Sequence, residues 1–153
     1  MNISIRHAKK QDIPTLADFS HKLNETQTDA HRPDEKALLN NWDRFSAYLI
    51  FDDDLGIGYC MGCKIFHPHM GYIRFEIQAI FIDPNYRSQG LGEKLMRYAI
   101  HDQAQKGVKW FSLQALIKNE KASAFYESLG FEKRPNNFNR YYLWQDKLDK
   151  FLG

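Results

Sequence analysis

The stretch DPNYRSQGLGEKL (83–95) sets Arg87, Gly90 and Gly92 between a turn and the start of a helix. A helix N-terminus leaves backbone N–H groups without partners at the positive end of its macrodipole, where phosphate binds readily. Glycines let a ligand approach that backbone, and an arginine adds a cation able to hold phosphate through two hydrogen bonds. A P-loop would need G-x-x-x-x-G-K-[ST], which is missing; a dinucleotide fingerprint would need a third glycine where Leu95 stands. Taken alone, the stretch suits an anion site and a glycine-eased turn equally. A second constellation, CMGCKIFHPH (60–69), has the C-x-x-C-x-x-x-H-x-H form that invites a zinc reading. No second C-x-x-C accompanies it. Cys60 and Cys63 fall within an expected strand, where residues three apart point to opposite faces. Two small buried thiols and a His-Pro-His turn are the favoured reading, and no metal is expected.

The surrounding elements follow from periodicity. ISIR (3–6) alternates as a strand. Residues 12–27 carry Leu16, Phe19 and Leu23 at helical spacing, and 32–45 opens on Pro33 and acidic residues as a helix does. Residues 46–66 suggest a hairpin turning at Asp53–Gly56, and 72–83 the longest apolar strand. A helix from Gly92 to about Gln105 places Leu91, Leu95 and Ala99 in one row, Met96 and Ile100 in the next, with Gly107 as its stop. Then come a strand (108–116), a helix (119–130) with Ala122, Phe125, Tyr126 and Leu129 on one face, and a last strand, RYYLW (140–144). Interleaved strands and helices give an α/β or α+β class with a mixed sheet.

The chain has 153 residues, enough for one domain with a real core. Its 21 basic and 19 acidic residues leave a charge of +2, too balanced to suggest nucleic acid. No apolar run approaches a membrane span, and the N-terminus lacks the apolar region of a signal peptide. Two cysteines are too few for a disulfide scaffold and fit a reducing compartment, so a cytoplasmic location is expected.

Two motifs in order make the first constellation specific. Ile82-Asp83-Pro84 leads into Arg87-Ser88-Gln89-Gly90-Leu91-Gly92. Downstream stands Asn119-Glu120-Lys121-Ala122-Ser123-Ala124-Phe125-Tyr126, followed by Leu129-Gly130-Phe131. These resemble the [QR]-x-x-G-x-[GA] and N-x-x-A-x-x-F-Y-x-x-x-G-F motifs of the GNAT superfamily of N-acetyltransferases. The order of elements matches along the whole chain. The resemblance implies a single domain over 1–153, built on a mixed, mostly antiparallel sheet of about six to seven strands flanked by about four helices. It implies acetyl-CoA as co-substrate, its pyrophosphate held on the N–H groups of Ser88, Gln89, Gly90, Leu91 and Gly92 beside Arg87. Ile80, Phe81 and Ile82 would splay from the neighbouring strand and hydrogen-bond the pantetheine arm. Asn119 would reach that arm as well, or serve as a plain helix cap. A homodimer is compatible with the resemblance.

Moving an acetyl group from a thioester to an amine requires a neutral amine, a donor for the tetrahedral oxyanion and a proton for the leaving thiolate. An alkylammonium has a pKa near ~10, so deprotonation is a real obstacle. The family places a tyrosine at Tyr126 as general acid toward the sulfur; the plainer role is a core aromatic beside Phe125. A backbone N–H near Ile82 is the economical oxyanion donor. Strict alternation puts Glu76, Gln78, Ile80 and Ile82 on one strand face. Many family members carry a carboxylate at the place of Gln78, which here is an amide. Glu76, about 6–7 Å along the strand, is the next basic group and would act through a water. A solvated Glu76 with no dedicated base is the alternative.

The acceptor side in this fold is lined by 21–35, with Glu25, Asp29, Asp34, Glu35, His21 and His31, and by 136–144, with Tyr141 or Tyr142. An acidic rim suits a cationic amine, whereas a solvated polar loop explains the same residues without a ligand. The reading is transfer from acetyl-CoA, in a ternary complex, to a primary amine of a small molecule such as a polyamine or aminoglycoside. A non-catalytic acyl-CoA-binding module and acetylation of a protein lysine or N-terminal amine are the alternatives. No nucleic-acid or membrane partner is expected.

Overall fold

A computed structural model describes residues 1–27, 30–135 and 137–153. The chain forms two compact units, Met1–Leu116 and Ile117–Gly153. In the first, β1 (Ile3–His7), β2 (Ser46–Asp52), β3 (Leu55–His67), β4 (Tyr72–Ile82) and β5 (Trp110–Leu113) make a five-stranded sheet in sequence order. β1 to β4 pair antiparallel, and β5 joins β4 in parallel. The parallel step requires a crossover, supplied by α3 (Leu91–Gln105). The other helices of this unit are α1 (Ile13–Glu25) and α2 (Glu35–Asn40).

Each sheet face has its own helix. Leu16 and Phe19 of α1 pack on Ala47, Leu49, Tyr59 and Phe81, with Met61 and Ala79 alongside. The opposite face carries Tyr48 and Cys60, both fully buried, and it faces α3. There the Tyr48 hydroxyl donates to Asp102 Oδ2 at 2.7 Å and accepts from Gln103 Nε2 at 2.8 Å. His7 Nε2 lies 2.8 Å from the same Asp102 oxygen, and Lys106 Nζ donates to it at 2.9 Å. This network ties β1, β2 and the last turn of α3 together. Leu91, Leu95, Met96 and Ala99 are buried, as the expected rows required. The helix ends at Gly107, where the Val108 N–H returns to the Gln103 carbonyl at 3.1 Å.

The second unit holds α4 (Glu120–Ser128) and α5 (Gln145–Leu152). The strand expected at 140–144 is absent, and the sheet has five strands among the described residues instead of six or seven. Tyr142 and Trp144 stack with ring centres 5.1 Å apart, but among the described residues no strand pairs with the segment. Tyr and Trp favour a pleated surface only when one is there to pack on.

Candidate active site

Between β4 and α3 the chain turns sharply. Gly90 caps α3 with φ 75°, and Ser88, a non-glycine residue, also has a positive φ of 62°. A positive φ costs little at glycine and more at serine. Backbone turned this way gathers successive N–H groups on one side. No side chain caps α3. Among the described residues, none accepts a hydrogen bond from the main-chain N–H groups of 88–93. Residues 87–90 are exposed. Arg87 is held beneath this turn: its Nε donates to the Ile82 carbonyl at 2.8 Å, and its guanidinium lies 5.5 Å from the Phe81 ring centre. A positive group is thus fixed at the mouth of the turn, with part of its fork committed to the backbone.

The neighbouring strands part here. β5 pairs with β4 only from Arg74 to Ile77, and among the described residues β4 runs on to Ile82 without a strand on that side. Among the described residues, Ile80, Phe81 and Ile82 thus have no strand paired on the β5 side.

A bulge changes the expected faces. Met61 pairs with Ala79 but Gly62 pairs with Ile77, so β4 spends one extra residue, Gln78, between them. An extra residue reverses alternation beyond it. Glu76, opposite Cys63, therefore shares the α1 face with Met61 and Ala79, whereas Ile80, opposite Cys60, lies on the α3 face. The expectation of Glu76, Gln78, Ile80 and Ile82 on one face is overturned. Gln78 stays on the Glu76 side, where its Oε1 accepts from Cys63 Sγ at 3.5 Å. The bulge needs Gly62: a Cβ there would strike the Glu76 carbonyl oxygen and lie 2.8 Å from the Phe75 ring. That glycine, inside a strand, was the sequence signal for the bulge. Glu76 is half-buried with Ser112 of β5 as its other cross-strand neighbour.

The two thiols separate as strand geometry requires. Cys60 is fully buried on the α3 face, and burial pushes its thiol up to about 12. Cys63 faces Glu76; burial and then that carboxylate raise its pKa. Among the described residues, no group of three or more His, Cys, Asp or Glu side chains is placed to hold a metal.

The acidic rim is already engaged. Glu35 and Asp18 both accept from Arg32 Nη2 at 3.0 Å. Glu25 sits 3.3 Å from His21, and Asp34 caps α2 through the Lys36 N–H. The His31 carbonyl accepts from Asn24 Nδ2 at 2.7 Å. Asp29 lies outside the described residues.

In the second unit, Asn119 caps α4 by accepting from the Ala122 N–H at 3.0 Å, the plainer of its two expected roles. Tyr126 is half-buried, with the Phe125 ring at 5.4 Å and the Phe131 ring at 6.2 Å. The turn after α4 places Phe131 there, its N–H bonded to the Tyr126 carbonyl at 3.1 Å. Tyr141 is 87% exposed.

The sequence profile of the Acetyltransferase (GNAT) family matches residues 16–131, and the chain belongs to that family, whose members use acetyl-CoA. N-alpha-acetyltransferase 30 of Schizosaccharomyces pombe is 31% identical over 139 residues, covering 84% of this chain and 90% of the relative. The ribosomal protein bS18-alanine N-acetyltransferase of Escherichia coli K12 is 39% identical over 73 residues, 48% of this chain and 49% of that enzyme. A possible acetyltransferase from Clostridium difficile 630 shares the fold at TM-score 0.79 and 22% identity, covering 95% of this chain and all of the other. An aminoglycoside acetyltransferase from a soil metagenomic sample, solved with sisomicin, also reaches 0.79 at 18% identity, covering 94% and 97%. The protein is an N-acetyltransferase of the GNAT type. Among the described residues, no helix is long and apolar enough to cross a membrane.

Proposed function

We propose that the chain transfers the acetyl group of acetyl-CoA to the α-amine of a polypeptide N-terminus. The observation that carries acetyl-CoA binding is the row of uncapped N–H groups from 88 to 93 beside the β4–β5 opening. The pyrophosphate would sit on that row with Arg87 next to it. The pantetheine amides would pair with the free side of Ile80–Ile82, and Asn119 would add its amide N–H2 while its oxygen caps α4. The acetyl carbonyl would then lie toward the bulge, where a backbone N–H of β4 between Gln78 and Ile80 would meet the oxyanion; Ile82 is too far along the strand from Glu76 to share the reacting centre.

The choice of acceptor departs from the small cationic amine expected from the rim. Asp18 and Glu35 share the Arg32 guanidinium and Asp34 caps α2, which weakens the rim's pull on a polycation without cancelling it. An α-amine has a pKa near ~8, against ~10.4 for a lysine-type amine. It is partly neutral at physiological pH and asks little of a base, which suits a site with an amide at Gln78. The relative matched along 90% of its length is an N-alpha-acetyltransferase. Glu76 would take the remaining proton, directly or through a water, and Tyr126, by the family motif, would protonate the departing thiolate. The family match runs from the first compact unit into the second, which supports reading the chain as one catalytic domain.

The test is thiol release from acetyl-CoA with a panel of N-terminal peptides, polyamines and aminoglycosides. Peptides should be preferred. Tyr126→Phe should lower kcat by about 10²-fold or more, the scale of general acid catalysis. If acetyl-CoA raises the melting temperature but no amine is acetylated, the chain is a binding module. If an aminoglycoside outpaces every peptide, the acceptor assignment falls.

A further inference from the structure

Beyond the bulge, the α1 face of the sheet carries a strip of which the transfer chemistry uses only Glu76. Tyr72, Arg74 and Glu76 alternate onto that face of β4. Ile65 and His67 flank them from β3, and Trp110 and Ser112 from β5. Tyr72 stacks on Trp110 with ring centres 5.3 Å apart, and Trp110 is 51% exposed. Arg74 is half-buried between them. Its Nη1 donates to Ser112 Oγ at 2.9 Å. Its Nε is buried, and among the described residues it has no hydrogen-bond partner and Arg74 makes no ion pair. Opposite Tyr72, His67 Nε2 is likewise buried without a hydrogen-bond partner among the described residues.

A guanidinium pulled partly out of water with an N–H unmet is costly, and the ligand that best repays that cost is a carboxylate held by two N–H groups. We infer that Arg74 binds a carboxylate of the acceptor, so that this enzyme selects amines carrying an acidic group nearby. The inference rests on the acetyl-transfer reading above for the position of the amine at Glu76. Arg74 and Glu76 are two residues apart on one strand face, about 6–7 Å. Two residues of extended peptide span the same distance. The carboxylate therefore belongs to the first or second residue of the polypeptide. Tyr72 and Trp110 form an apolar wall for the rest of that residue.

The experiment compares three peptides alike except for Glu, Gln or Lys at the second residue, using thiol release with the wild type, Arg74→Gln and Arg74→Lys. The expected result is a wild-type kcat/KM about tenfold higher for Glu than for Gln, carried mainly by KM and weakened by salt. Lys should be poorer still. Arg74→Gln should bring the Glu/Gln ratio close to one, and Arg74→Lys should restore part of it. Equal wild-type rates for Glu and Gln overturn the inference, as does an acid preference that survives in Arg74→Gln. The wild-type comparison needs no variant to fold. Calorimetric binding of the three peptides in the presence of coenzyme A needs no turnover: Arg74-dependent binding of the Glu peptide without acetylation would sink the catalytic reading and leave this one standing. Free glutamate is run in parallel. If it exceeds the Glu peptide in kcat/KM, the carboxylate reader stands and the polypeptide assignment falls.

Discussion

Replacing Gly62 by alanine tests the reasoning that places Glu76. In β3, Gly62 faces Phe75 and the Glu76 carbonyl across the bulge. An added Cβ would overlap that carbonyl oxygen and approach two Phe75 ring carbons at 2.8 and 2.9 Å. The ring cannot swing away, because Phe75 is 1% exposed, and a carbonyl in a ladder moves only with its strand. Overpacking of this kind costs about 1–3 kcal/mol. For a domain of this size each kcal/mol lowers Tm by about 2–4 °C, so Gly62→Ala should melt roughly 2–12 °C below wild type. Gly56→Ala is the matched control. Its Cβ would meet Phe19 and Phe51 at 3.8 Å, an ordinary contact. Losing a glycine there also narrows the unfolded ensemble by about 0.4–1 kcal/mol, so this variant should be as stable as wild type or slightly more so. Calorimetry or circular dichroism melting of the three proteins gives the answer. Activity adds a second readout, because moving the bulge re-aims Glu76 and should lower kcat in Gly62→Ala. If Gly62→Ala and Gly56→Ala melt together, the bulge is not built on that glycine and the placement of Glu76 on the α1 face loses its physical basis.

Two further perturbations follow from the buried groups. Burial alone would raise the Asp102 carboxyl, but hydrogen bonds from Tyr48 and Lys106 and the nearby His7 outweigh it and hold it below the ordinary carboxylate value. A carboxylate with a depressed folded pKa adds stability that is complete above its unfolded value, near ~3.9, and is lost as pH falls through the folded one. Asp102→Asn should therefore cost about 1–3 kcal/mol at pH 7, with its melting curve converging on the wild type's as the pH drops below about 4; a constant gap down to pH 2 would contradict this. The thiols should differ in a timed alkylation at pH 7.5. Half-buried Cys63 should react first, slowed by its raised pKa, whereas Cys60, pushed up to about 12 by full burial, should react only on unfolding. Simultaneous labelling in the folded protein would refute the assigned faces.

The parts legible from sequence were those set by local chemistry. Leu91, Leu95, Met96 and Ala99 fixed the buried side of α3. Gly107 fixed its end, and Arg87 through Gly92 marked the turn that leads into it. Periodicity failed where one residue's role depended on a distant one. Nothing within 72–83 signals that Gln78 bulges, because the cause is Gly62 on the opposite strand, and only the register Met61–Ala79, Gly62–Ile77 couples them. The same limit explains the acidic rim. Glu25, Asp34 and Glu35 resemble a cation trap when counted along the chain, yet the folded structure pairs them with His21, the Lys36 N–H and Arg32. Arg74 is the converse case. As one cation in a strand it has no motif around it to mark it. The sheet places it beside Ser112, with a buried Nε–H that has no partner among the described residues and a carboxylate two residues away. In this fold the α3 tip is written in consecutive residues. The strip inferred to meet the acceptor is written across three strands, so any specificity it carries emerges only once their register is known.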